Sequence, residues 1–131
     1  MVLTPTYYVY KMYLPFHDAT LIPVTFDAGW YTHGDVALPR VDAIAAKDAD
    51  GKFWLEITNL DPNEPVEIEA KLAGITSRAA SGTTLTAARV DSVNTFDTPN
   101  TLLPKPIAAQ VQSDKLTLKL EPKSVTVVSL E

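Results

Sequence analysis

From Val41 to Glu131 the sequence never sustains a helical period. Short apolar runs alternate with polar residues and are cut by turn residues about every eight to twelve positions, the pattern of successive strands. Val41 to Lys47 is the first of these. Asp48-Ala49-Asp50-Gly51 is a turn, and Lys52 to Leu60 is its hairpin partner. In that partner Phe53, Leu55 and Ile57 share one face, and Trp54, Glu56 and Thr58 the other. After the turn Asp61-Pro62-Asn63-Glu64-Pro65, Val66, Ile68, Ala70 and Leu72 alternate with Glu67, Glu69 and Lys71, so one face is buried and one solvated. Ile75 to Ala80 is a weaker strand, Ser81-Gly82 a turn, and Thr83 to Val90 a threonine-rich strand. Residues 91–106 form a long excursion with three prolines, which Phe96 is expected to anchor. Ile107 to Gln112 and Lys115 to Leu120 make a hairpin around Ser113-Asp114. Glu121 to Ser124 turns the chain into a last strand, Val125 to Leu130. Strands with no helix between them pack as two antiparallel sheets or as a closed barrel. The long excursion reads as a crossover between sheets, which points to an all-β antiparallel sandwich.

The first forty residues differ. Thr4 is placed to cap a short helix, Pro5 suits its first position and Pro15 stops it. Tyr8 and Met12 lie four apart on its apolar side, as do Tyr10 and Leu14. So short a helix is unstable alone and must pack on something. It either faces a larger neighbour or caps the domain's own core. Leu21 to Phe26 is a short strand interrupted by Pro23, and residues 27–35 read as an ordered loop. The start lacks the basic region of a signal peptide.

Composition narrows the function. The chain has 131 residues, 46% apolar and 21% charged, which fits one folded domain rather than a disordered segment. A net charge of -5 offers no general attraction for nucleic acid or anionic lipid, so neither is an expected partner. With no cysteine and two histidines, thiolate chemistry is excluded and little remains for a metal centre. No cofactor is expected. Glu67 and Glu69 belong to a solvated strand face, and Asp48 and Asp50 to a turn. His17-Asp18 and His33-Gly34-Asp35 bring an imidazole near a carboxylate with no sign of a nucleophile. No catalytic residue is assigned. Trp30 and Trp54 admit three readings: interdomain packing, a sugar platform, or ordinary strand burial. Tyr8, Met12, Trp30, Trp54 and Phe96 are therefore the candidate contacts to another domain or to a sugar.

Four stretches carry a resemblance. Leu3-Thr4-Pro5-Thr6-Tyr7-Tyr8-Val9-Tyr10-Lys11-Met12-Tyr13 resembles the last barrel helix of family 51 alpha-L-arabinofuranosidases. Asn59-Leu60-Asp61-Pro62, Asn94-Thr95-Phe96-Asp97-Thr98-Pro99-Asn100 and Lys115 to Val125, with its Pro-Lys-Ser turn, are similar to that family's C-terminal domain, in the same order. The resemblance implies a jelly-roll-like β-sandwich over residues 16–131, preceded by a remnant of a barrel helix over residues 1–15. It implies an accessory role beside a (β/α)8 barrel that carries the catalytic glutamates and removes terminal arabinofuranosyl groups with retention. No glutamate here matches either catalytic residue. It further implies that Met1 is an artificial start or the start of a split gene product, and that one sheet edge or groove is left unfilled by the N-terminal segment that the family's members lend to the sandwich. A cytoplasmic parent, contact with arabinose-containing polysaccharide, and self-association through the N-terminal aromatics are the remaining expectations. A carbohydrate-binding module and an Ig-like interaction domain are the alternatives.

Overall fold

The computed structural model describes residues 1–131. Helix α1 (Pro5–Met12) comes first. The Thr4 hydroxyl accepts from the Tyr7 amide at 3.2 Å, and Pro5 takes the first turn. The helix ends before Pro15, which lies in a 3-10 turn, Leu14–Phe16. Eleven strands follow: β1 (Thr20–Ile22), β2 (Trp30–His33), β3 (Val36–Pro39), β4 (Val41–Lys47), β5 (Phe53–Asn59), β6 (Val66–Lys71), β7 (Ala80–Leu85), β8 (Lys105–Ile107), β9 (Ala109–Gln112), β10 (Lys115–Leu120) and β11 (Ser124–Leu130).

A six-stranded antiparallel sheet, ordered β1-β4-β5-β11-β7-β8, packs on a three-stranded sheet, β6-β10-β9, and β2-β3 forms a separate hairpin. This is the expected sandwich, jelly-roll-like with unclosed sheets. The core is the alternation made solid: Leu116, Leu118 and Leu120 of β10 meet Leu55 and Ile57 of β5 and Val128 and Leu130 of β11. Buried polar groups on the same inner faces are paired, as with the Thr84 and Thr126 hydroxyls at 2.9 Å.

Two of the resembling motifs are polar hubs. Asn59 is 1% exposed. Its Nδ2 donates to the carbonyls of Glu64 and Glu121 at 2.9 and 3.0 Å, and its Oδ1 accepts from the Asp61 amide at 3.0 Å. One side chain thereby ties the 61–65 turn to the 121–124 turn. Asp61 continues the hub by accepting from the amides of Asn63 and Glu64 and lying 3.3 Å from Arg40 Nε. Burial opposes its charge, but those amides and the guanidinium win and hold its pKa below the ordinary value. Asn94 does the same for the long excursion. Its Nδ2 donates to the carbonyls of Leu3 and Leu102, and its Oδ1 accepts from the Leu102 amide at 2.7 Å.

Several local expectations are corrected. Ser81-Gly82 is not a turn but lies inside β7. Gly82 is there because a Cβ would sit 2.7 Å from Ile107 Cγ1 across the β7–β8 pair. β7 stops at Leu85, well short of Val90, and residues 75–79 form no strand. The 27–35 loop contributes β2 and the turn of a hairpin, with Gly34 at φ 57°. Only Thr20–Ile22 of the first strand forms, since Pro23 ends it. The long excursion is no crossover: it joins β7 to β8, neighbours in one sheet, and the chain changes sheets at Ala108, between β8 and β9. Phe96 does not anchor it, being 84% exposed; Asn94 and the buried Leu102 do.

Candidate functional site

The register of the six-stranded sheet assigns its outer face. Trp54, Glu56 and Thr58 of β5 pair with Ser129, Val127 and Val125 of β11, and with Ala46, Ile44 and Asp42 of β4. An outer sheet face of this kind is ordinarily solvated, yet Glu56, Val127 and Ser129 are buried. The N-terminal segment is the cover. Tyr8 packs with Leu85 and Leu102, flanked by Leu3, Val9 and Met12. Tyr8 and Met12 are thus placed together, turned towards the sandwich. Tyr7, Tyr10 and Leu14 remain exposed, Tyr10 at 75% and Leu14 at 67%. Leu21 and Ile44 on the same side of the sheet are also exposed. The segment therefore does both things the sequence allowed: one side caps the sheet, and the other leaves an apolar surface uncovered.

At the seam lies a carboxylate that the alternation pattern disguised as solvated. Glu56 is 1% exposed. Thr58 Oγ1 donates to its Oε1 at 2.5 Å. Burial pushes its pKa up, the Thr58 and Tyr13 hydroxyls pull it partly back, and Asp42 adds to the rise. Tyr13 is pushed well above the usual phenol range, first by burial and then by the Glu56 charge. Nothing in the strand pattern marks Glu56, because what buries it comes from a distant part of the sequence.

Trp54 is half-buried and already engaged. Its Nε1 donates to Asp48 Oδ2 at 2.8 Å, and Lys52 Nζ sits 5.0 Å from its ring centroid. The bond from Trp54, followed by that from the Lys52 amide, holds the Asp48 carboxyl below the ordinary value. Trp30, by contrast, is 64% exposed on β2. It borders an open depression with Phe26, Leu60, Asp27 and Asp42. Phe96 stands alone on the ordered 94–102 loop, so the five candidate contacts do not converge on one place. Glu67 and Glu69 are exposed on β6, where Glu69 pairs with Lys115 at 2.7 Å. The His17 Nδ1 to Asp18 Oδ2 contact, 2.9 Å, lies in solvent.

Fold and seam together define a class, a jelly-roll-like β-sandwich with a short N-terminal helix packed over the outer face of its larger sheet. The chain belongs to the alpha-L-arabinofuranosidase C-terminal domain family, whose model matches residues 1–124. It is 36% identical along its whole length to an intracellular exo-alpha-L-arabinofuranosidase of Bacteroides ovatus, of which it spans 26%. The crystal structure of the family 51 arabinofuranosidase of Xanthomonas axonopodis pv. citri superposes over the entire chain with a TM-score of 0.97 at 34% identity, again over 27% of that protein. A thermostable Thermotoga petrophila relative shares the fold, with a TM-score of 0.81 at 21% identity. The chain thus spans about a quarter of the length of the relatives it matches.

Proposed function

We propose that this chain is the non-catalytic C-terminal sandwich of an alpha-L-arabinofuranosidase, and that it supports a catalytic (β/α)8 barrel. Residues 1–15 belong on this reading to the edge of the barrel and residues 16–131 to the sandwich. The parent would release terminal arabinofuranosyl groups. The carrying observation is the two-sided N-terminal segment, with Tyr8 and Met12 spent on the sandwich while Tyr7, Tyr10 and Leu14 are exposed, as are Leu21 and Ile44 on the same side of the sheet. An apolar surface on the segment through which the chain enters the fold suits a neighbouring domain. The three-stranded sheet adds to this. Its β9 lies against β7, and at its other margin β6 pairs with β10 alone, so one edge of β6 is open to a further strand.

The test is calorimetric titration of the chain with the catalytic region of a related arabinofuranosidase, expressed without its sandwich. Binding is expected, with a marked loss of affinity for Tyr10→Asp combined with Leu14→Asp. Equal affinity for both forms, or none for either, would overturn the reading. The intracellular designation of the Bacteroides ovatus relative supports a cytoplasmic parent, which fractionation of the source cells would check.

A second reading is favoured by Trp30 alone. An exposed indole beside Phe26, with Asp27 and Asp42 at the rim, suits stacking on a sugar ring of an arabinose-containing polysaccharide. Affinity electrophoresis in such a polysaccharide should retard the chain, and Trp30→Ala should abolish the retardation. Unretarded migration of the unaltered chain rejects it.

A further inference from the structure

We propose that the depression beside Trp30 is a subsite for one uncharged sugar residue: a ring face lies on the indole, neighbouring hydroxyls donate to the carboxylates of Asp27 and Asp42, and uronate-bearing chains are turned away. The inference rests on the Trp30 reading above and adds to it the orientation and the charge of what binds. The site is held by backbone before any ligand arrives. Gly29, at φ 79°, turns the chain into β2, where Trp30 stands opposite Pro39 of β3. The Arg40 amide donates to the Gly29 carbonyl at 2.9 Å, and the Leu60 amide to the Arg40 carbonyl at 2.8 Å. Trp30 and Leu60 are thereby set on one frame, which lowers the ordering cost of binding.

The two carboxylates are oriented in the same way. Asp27 Oδ1 accepts from the Gly29 amide at 3.0 Å, and Asp42 Oδ1 from the Ala43 amide at 3.0 Å. The second oxygen of each has no partner in the protein. No lysine, arginine or histidine lines the depression, and Arg40, the cation nearest in sequence, lies 3.3 Å from Asp61 instead. An apolar partner surface laid on Trp30, Phe26 and Leu60 would strip water from two unpaired carboxylates, which is costly. A sugar covers the same side chains with its C–H face and brings hydroxyl donors to both aspartates, and hydrogen bonds to a charged acceptor are the stronger kind. A carboxylate on the ligand would instead meet two like charges. A small cation would satisfy the aspartates but leave this open apolar surface uncovered, whereas cation sites wrap the charge in aromatic faces.

The test is affinity electrophoresis of the full chain in gels holding neutral linear arabinan or polygalacturonate, each referred to a gel without polymer. Arabinan should retard the unaltered chain, and polygalacturonate should not. Asp27→Asn combined with Asp42→Asn keeps an oxygen for each backbone amide but turns a donor outward in place of the charge. This variant should bind arabinan about tenfold more weakly and begin to be retarded by polygalacturonate. Free passage of the unaltered chain through arabinan would remove the Trp30 reading, and this inference with it. Three results overturn the inference while leaving stacking on Trp30 in place: arabinan affinity that survives the double change within about twofold, equal retardation of the unaltered chain by both polymers, or displacement from arabinan by tetramethylammonium chloride but not by sodium chloride. If the double variant does not fold, the comparison of the two polymers on the unaltered chain decides by itself.

Discussion

Replacing Asn59 by alanine tests whether two remote turns are held by one amide. The substitution removes two donated bonds and one accepted bond at a site 1% open to solvent. The Glu121 carbonyl keeps a second partner in the Ser124 hydroxyl at 2.6 Å. The Asp61 amide and the Glu64 carbonyl lose the partner that Asn59 gave them. At about 1–3 kcal/mol for each unsatisfied buried group, the loss should be roughly 2–6 kcal/mol. A chain of this size loses about 4 °C of Tm per kcal/mol, so the midpoint should fall by roughly 8–24 °C. Asn59→Asp gives a sharper contrast. It keeps the shape but turns a donor group towards two carbonyl oxygens into an acceptor, so it should be at least as damaging as alanine. The exposed Asn63→Ala should stay within about 0.5 kcal/mol. Urea denaturation read by fluorescence and circular dichroism gives all three. An Asn59→Ala loss under about 1 kcal/mol, or an Asn59→Asp variant milder than alanine, would refute the hub.

Other outcomes follow from the same structure. Gly82→Ala should destabilise by about 1–3 kcal/mol by driving its Cβ into Ile107, and Ile107→Val should relieve part of that loss in the double variant, as denaturation would measure. Asp61 has a depressed pKa, so its contribution is present above the ordinary aspartate range and is lost as pH falls through the lowered value; Asp61→Asn should flatten that acid limb of the stability profile. On its own the chain should self-associate through Tyr7, Tyr10 and Leu14, and Tyr10→Asp with Leu14→Asp should restore a monomer in light scattering across a concentration series. Phe96→Ala should leave the melting temperature unchanged within about 2 °C, because that ring is mostly in solvent.

The regular part of the sandwich was legible because its strands are half-buried. Leu116, Leu118 and Leu120 alternate with Lys115, Thr117 and Lys119, and the structure buries the leucines alone. Legibility failed where a residue answers to a distant partner. Gly82 carries a turn residue's usual identity but was set by the side chain of Ile107 across a strand pair. Phe96 looked like an anchor because aromatics usually are, whereas the loop is pinned by Asn94, whose amide satisfies two carbonyls and one N–H. Glu56 obeys the polar-out rule of its strand and is nonetheless buried on the sheet face against which the N-terminal helix packs. The exposed residues Tyr10 and Leu14 were read together with the buried Tyr8, since helical spacing gives the sides of a helix but not which side a neighbour takes.

The claim on which the functional account rests is that this sandwich assists a barrel and breaks no bond itself. Turnover of an aryl alpha-L-arabinofuranoside, measured with the chain alone, with the isolated catalytic region of a related enzyme, and with both together, tests it most directly. The account expects no turnover above the buffer blank from the chain alone, and a catalytic region whose activity survives heating better once the chain is added. Release of arabinose by the chain alone, or a catalytic region indifferent to its presence, would contradict it.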